Sequence, residues 1–206
     1  MSRHAGFLAA IVAATVIAHT GTLGGAGSTI SGTVTNTGQA PAANALVYIQ
    51  EVPGTFPPGA PVEMDQRGMK FIPQLLPVVA GTTVRFLNSD PSPHNVFSPD
   101  YEKYDLGTWQ QGQTKEYTFP ECAKPPCVYT QLCKVHVEMD GYVAVLQNPY
   151  SAVTDKKGHY EIANVPPGSY TLAAWYASRT RRYKAQPKPV RVDASEPATV
   201  DLVLAR

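Results

Sequence analysis

Charge is scarce in this chain: 16% of its 206 residues are Asp, Glu, Lys or Arg, against about 25% in an average soluble protein. The signs nearly cancel, with 17 basic residues against 16 acidic ones, which removes the electrostatic footing for nucleic-acid binding. Cysteine is scarce too. Three thiols are too few for a disulfide-built scaffold and make an odd number. No stretch carries the long amphipathic period of a helix. The 19 prolines and 16 glycines exclude a helix bundle, because both residues are poor in helix interiors. Long apolar runs are missing as well. The one present, Phe7 to Ala18, is shorter than the roughly 20 residues that cross a bilayer as a helix.

That run has a reading of its own. Arg3 and His4 precede it and a Gly/Thr-rich stretch follows, the layout of a secretory signal peptide. Residues 1–26 are read as a signal peptide and short linker, with cleavage after Ala18 or Ala26; an uncleaved anchor is the alternative. The mature protein is expected in the periplasm or outside the cell, with no membrane span, where disulfides persist.

What remains is rich in short β-type runs broken by Gly, Pro, Asn and Asp. Candidate strands are 30–35, 45–51, 69–72, 82–88, 115–119, 128–132, 142–147, 159–163, 169–175, 188–193 and 198–204. In "TTVRFLN", Val84 and Phe86 share one face, and in "ATVDLVLA" Val200, Leu202 and Leu204 do the same. Such period-two alternation suits half-buried antiparallel sheet. Residues 176–186 leave room for one short turn of helix. Asp155 to Gly158 reads as a hairpin turn. Pro167-Gly168 fits the centre of a type II turn, where Pro presets φ and Gly permits a positive φ. The expected class is all-β.

The two ends are alike in kind. "ISGTVTNTGQAPAANALVYIQ" and "SAVTDKKGHYEIANVPPGSYTLAAWY" resemble a small transthyretin-like or carboxypeptidase-regulatory sandwich. If they form one unit, residues 27–55 plus 150–206 make that sandwich and residues 56–149 are inserted in it or packed on it. A single larger sandwich is the alternative.

The middle carries the chemistry. "QLCKVHVEMDGYVAV" holds Cys133, His136 and Met139 at three-residue intervals, and "FLNSDPSPHNVFS" places His94 upstream, after a strand and a Pro-bounded loop. Two imidazoles, one thiolate and one distant thioether are the ligands of a mononuclear blue-copper site. A loop between two strands can turn three side chains toward one point. The fourth must come from a neighbouring strand, which is the position of His94.

With those residues in view, 56–149 resembles the cupredoxins, a Greek-key β-sandwich family that includes plastocyanin, amicyanin and pseudoazurin. "HNVF" matches the segment holding their first His, and Cys-x-x-His-x-x-Met matches the ligand loop with amicyanin-like spacing. "MDQRGMKFIP", "GTTVRFLNSDPSPHNV" and "TDKKGHYEIANVPPGSYTLAAW" together resemble the periplasmic plastocyanin-like methylamine-utilisation proteins. The resemblance implies one type 1 copper held by His94, Cys133, His136 and an axial Met139. It implies a monomer that carries single electrons to or from a redox partner such as a cytochrome or dehydrogenase, and no enzyme. By the same resemblance Asn95 ties its own loop to the Cys133 loop. Cys122 and Cys127 in "ECAKPPC" can then pair as a disulfide and leave Cys133 for metal. A zinc site from Cys122, Cys127, Cys133 and His136 is the rival, but it leaves His94 and Met139 idle.

Lys134, Glu138 and Asp140 place charge where relatives carry apolar residues around the second His, with Val135 and Val137 left to supply apolar surface. A basic run, Arg179, Arg181, Arg182, Lys184, Lys188 and Arg191, is either a solvated face or a steering surface. His159 and His19 are assigned no role. Two other functions use the same sequence: a copper carrier or metallochaperone with the same four ligands, and a non-redox β-sandwich binding module.

Overall fold

The structure, a computed structural model, describes residues 27–178 and 181–205. The signal-peptide reading and Arg179 lie outside the described residues. Among the described residues there is no helix. Strand β1 (Ser28–Asn36) and β2 (Leu46–Ile49) open the chain. Then come β3 (Val62–Gln66), β4 (Phe71–Ile72), β5 (Leu75–Val79), β6 (Thr83–Asn88) and β7 (His94–Ser98). They are followed by β8 (Tyr104–Trp109), β9 (Thr114–Thr118), β10 (Cys127–Leu132) and β11 (Asp140–Leu146). The chain closes with β12 (Ser151–Val153), β13 (His159–Val165), β14 (Gly168–Ser178), β15 (Arg181–Ala185), β16 (Lys188–Val192), β17 (Ala198–Thr199) and β18 (Leu202–Ala205).

The pairing sorts these strands by their place in the chain. β1, β2 and β12 to β18 form one nine-stranded sheet. A five-stranded sheet runs β5-β11-β10-β7-β8 and a four-stranded sheet runs β4-β3-β6-β9. The last two face each other across a core of Met64, Phe71, Val84, Phe86, Val96, Trp109, Phe119, Tyr129, Val143 and Val145. The nine-stranded sheet wraps its own core of Ile30, Val34, Val47, Ile49, Ile162, Leu172, Val190, Leu202 and others.

A third apolar layer joins the two parts. Leu46 and Tyr48 of β2 and Ala173 and Trp175 of β14 pack on Leu75 of β5 and Tyr142, Ala144 and Leu146 of β11. This explains two unbroken apolar runs. In β11, Val143 and Val145 point into one core while Tyr142, Ala144 and Leu146 point into another. In β2, Val47 and Ile49 face one core and Leu46 and Tyr48 the other. A strand covered on both faces loses the polar alternation of a surface strand.

Several local expectations are corrected. The described residues of 176–186 are not helical: β14 runs to Ser178 and pairs with β15 in register Ser178↔Arg181. Pro167-Gly168 is not a type II turn. Gly168 already belongs to β14, opposite Val192, and the left-handed residue of this connection is Asn164, at φ 57°. The Asp155–Gly158 turn forms, with Asp155 Oδ1 accepting the Lys157 and His159 N–H groups. Its flanking strands do not pair with each other, however: β12 pairs with β2 and β13 with β1. Strands β3, β5, β7, β8, β12 and β15 fall outside the runs expected to be strands, and His94 opens β7 directly after the Pro-bounded loop.

Candidate metal centre

Cys133 is the first residue after β10. Along that strand Cys127, Tyr129 and Gln131 point inward and are buried, and Cys133 keeps their parity, 3% exposed. The loop 133–139 then returns to β11, with the Met139 N–H donating to the His136 carbonyl at 3.0 Å. On the adjacent strand β7, a bulge lies between Asn95 and Phe97. Bulges re-aim side chains, and here His94, Asn95 and Val96 are all buried in succession.

The result is a compact donor set. One ligand atom each from His94, Cys133 and His136 lies within 4.8 Å of the others. His94 Nδ1 is 3.0 Å from His136 Nδ1 and 3.9 Å from Cys133 Sγ. Bond lengths of about 2.0 Å to nitrogen and about 2.3 Å to sulfur let one ion bridge such separations. Met139 is buried, 2% exposed, in the same cluster as Cys133. Two imidazoles, a thiolate and a nearby thioether are the donor chemistry of copper rather than of magnesium or calcium, which take oxygen. The residues therefore fit the metal that the motifs imply.

The surroundings fix this arrangement, and two acids that the sequence reading passed over do much of it. Asp90 Oδ2 accepts the His94 Nε2–H at 2.9 Å, so His94 turns the lone pair of Nδ1 toward Cys133 and His136. Asp90 is itself held. Its Oδ1 accepts the Gly68 N–H at 2.7 Å and its Oδ2 the Met69 N–H at 2.9 Å. Gly68 and Met69 both sit at positive φ, 63° and 56°, in the tight turn between β3 and β4, and their two N–H groups point at one carboxylate. Burial raises the Asp90 pKa, but the hydrogen bonds from Met69, Gly68 and His94 outweigh it and hold the carboxyl below its ordinary value. Asn88, 1% exposed, ties the loop at both ends: Oδ1 accepts the Asp90 N–H, and Nδ2 donates to the carbonyls of Ser92 and Trp109. A signal for this was legible in "NSDPSPHN", where an Asp lies four residues before the His in a Pro-bounded loop.

Asn95 acts between loops, as the resemblance implies. Its Oδ1 accepts the Lys134 N–H at 3.3 Å and its backbone N–H points at Cys133 Sγ at 3.4 Å. Its Nδ2 donates to Asp105 Oδ1 and to the Gly107 carbonyl. Asp105 also pairs with Lys134 Nζ. The Lys134 contact first, then the Gly107 N–H and Asn95, hold the Asp105 carboxyl down at about 2. The charge of Lys134 is thus neutralised locally, and Lys134 lies over the Phe97 ring at 5.4 Å. Val135 and Val137 are exposed, 45% and 74%, on either side of half-buried His136. The surface at the second imidazole keeps an apolar character despite the charged residues in its loop.

Cys122 and Cys127 form a disulfide and Cys133 is the free thiol. The zinc alternative falls with that pairing. Among the described residues, no other group of His, Cys, Asp and Glu gathers in this way, and His159 lies on the nine-stranded sheet.

Comparison with known proteins agrees with both parts of the chain. Residues 60–146 match the family of copper binding proteins, plastocyanin/azurin family, and residues 135–205 match the carboxypeptidase regulatory-like domain. The chain thus carries a region similar to the plastocyanin/azurin family and a region similar to the carboxypeptidase regulatory-like domain. The two matches overlap on β11, which the structure pairs with β10 and β5. No curated protein matches.

Among solved structures, a purple cupredoxin from Nitrosopumilus maritimus is 25% identical, with 41% of this chain and 98% of that chain covered and a TM-score of 0.36. A Cu(I) form of amicyanin is 25% identical over 50% of this chain and 98% of that chain, with a TM-score of 0.38. A Cu-containing nitrite reductase from Thermus scotoductus is 24% identical over 48% of this chain, with a TM-score of 0.40. This chain spans 25% of the length of that reductase.

Proposed function

We propose that this protein is a periplasmic or secreted carrier of single electrons. The residues that would hold its copper are His94 through Nδ1, Cys133 through Sγ and His136 through Nδ1, with the Met139 thioether as the fourth donor. The observation that carries the reading is the convergence of those three donor atoms within 4.8 Å at the buried end of a β-sandwich. Bound copper supplies the one-electron Cu(II)/Cu(I) couple. The chain does the rest. Asp90 holds the His94 ring through Nε2–H, and Asn95 holds the Cys133 loop, so the ligands need not move when the charge at their centre changes. His136 reaches toward solvent between Val135 and Val137, giving a redox partner an apolar contact around a conducting ring. No substrate turnover is proposed, because two imidazoles, a thiolate and a thioether leave no open ligand position.

In this proposal the copper region is 56–149, and 27–55 plus 150–206 form the supporting sandwich. Export after removal of residues 1–26 is supported by the Cys122–Cys127 disulfide, which an oxidising compartment preserves. The test is the visible and EPR spectrum with one equivalent of Cu(II). The expected result is an intense thiolate-to-copper band with narrow copper hyperfine splitting, both lost in Cys133→Ala. A weak band with ordinary splitting overturns it. Copper that leaves readily for a Cu(I) chelator on reduction would instead mark a metal carrier.

A further inference from the structure

A cleft of about 830 Å³ lies beside the apolar layer that joins the two parts of the molecule, well away from the donor set. One wall comes from the nine-stranded sheet, with Tyr48, Trp175 and Lys184. The other comes from β10, the disulfide loop and the connection between β7 and β8, with Thr130, Lys124 and Tyr101 respectively. The volume falls within the range of about 300 to 1,000 Å³ that small-molecule clefts span, and the cleft is partly open to solvent. Flat apolar rings line it: Trp175 packs edge-on against Tyr142 at 5.5 Å, and Tyr101 lies 4.9 Å from Tyr129 and is 55% exposed.

Charge in the cleft is one-sided. Its one acid, Asp100, is spent on the Thr130 N–H at 2.7 Å. Arg182 is engaged as well, reaching Thr130 Oγ1 at 3.4 Å and lying over the Tyr142 ring at 5.4 Å. Lys124 and Lys184 have no ion-pair partner among the described residues and come from opposite walls. Two ammonium groups in a cleft that Tyr48, Tyr101 and Trp175 also line favour a ligand with a flat apolar body and a carboxylate. A guanidinium fork open to phosphate would favour a phosphate ester instead, and the one guanidinium here is already held.

We propose that this cleft binds an aromatic carboxylate, its ring against Tyr48, Trp175 and Tyr101 and its charge between Lys124 and Lys184. The site exists only where the two sheets meet. It gives the second sandwich a role of its own, independent of the metal. The basic run therefore divides: Arg182 braces the joint and Lys184 faces the ligand.

The experiment is calorimetric titration of the copper-loaded protein with naphthoate, with naphthamide as the neutral isostere and acetate as the bare charge. One saturable site for naphthoate is expected, at least about tenfold tighter than naphthamide, which corresponds to about 1.4 kcal/mol. Lys124→Gln and Lys184→Gln should each weaken naphthoate about tenfold and reduce the loss of affinity at high salt. Both are exposed, and an unchanged visible spectrum verifies that each variant is folded. Equal binding of naphthoate and naphthamide, no saturable site, or lysine variants that bind as the parent does would overturn the proposal.

Discussion

At the residue scale, Asp90 shows how a side chain outside the donor set can hold one of its imidazoles in place. Its two oxygens accept three hydrogen bonds, from Gly68, Met69 and His94. Asn has the same shape but one acceptor and one donor, so an NH₂ group must face an N–H wherever it turns. Asp90→Asn should therefore loosen the His94 ring and weaken copper binding about ten- to a hundredfold, the usual cost of losing a carboxylate behind a ligating His. Competition with a chelator of known affinity measures it. An affinity within twofold of the parent would show that His94 is positioned without Asp90. The candidate donors were legible from the sequence, because Cys133, His136 and Met139 stand in one short loop and their residue types admit few metals. Asp90 and Asp105 were not singled out, because an acid gains meaning only from the groups it faces.

At the element scale, the connection between β12 and β13 carries a sharp constraint. Gly158 has φ +78°, and a Cβ there would lie 2.5 Å from the Val34 carbonyl oxygen. The Gly158 carbonyl accepts the Val34 N–H at 2.8 Å, so this turn is pinned to β1. Gly158→Ala should destabilise the protein by more than about 1 kcal/mol, since both the backbone angle and the space forbid a methyl group. The shift of the urea midpoint reads this, and an unchanged midpoint would mean that the turn moves freely off β1. The turn was legible as Asp-x-x-Gly. Its partners were not: the same four residues can close a hairpin or pass the chain between ladders, and here they do the latter. In the same way 176–186 has no helix-forbidding residue, yet 176–178 pair with β15, and β15 pairs in turn with β18, which makes both described parts strand.

At the scale of the whole molecule, the layer between β2/β14 and β5/β11 decides whether the chain behaves as one body. Trp175 is 5% exposed and stands edge-on to Tyr142 at 5.5 Å. Trp175→Ala should cost about 3–5 kcal/mol, the range for removing a buried aromatic side chain. The loss should appear in the unfolding of both halves at once, followed by far-UV circular dichroism and by bleaching of the copper band in parallel. Two separate transitions, with only the sandwich weakened, would show that the layer does not couple them.

By itself the sequence determined the all-β class and the likeness of its middle to blue-copper proteins, and it pointed to His94, Cys133 and His136, whose donor atoms the structure brings together. These rest on local patterns: alternation along single strands, turn residues and the spacing of a short loop. Tertiary structure alone decided that β11 and β2 are buried on both faces and that the turn between β3 and β4 brings the Gly68 and Met69 N–H groups to Asp90. It alone brought Lys124 and Lys184 to opposite sides of one cleft. Those relations join residues far apart in the chain, and only the pairing and stacking of sheets sets the distance between them.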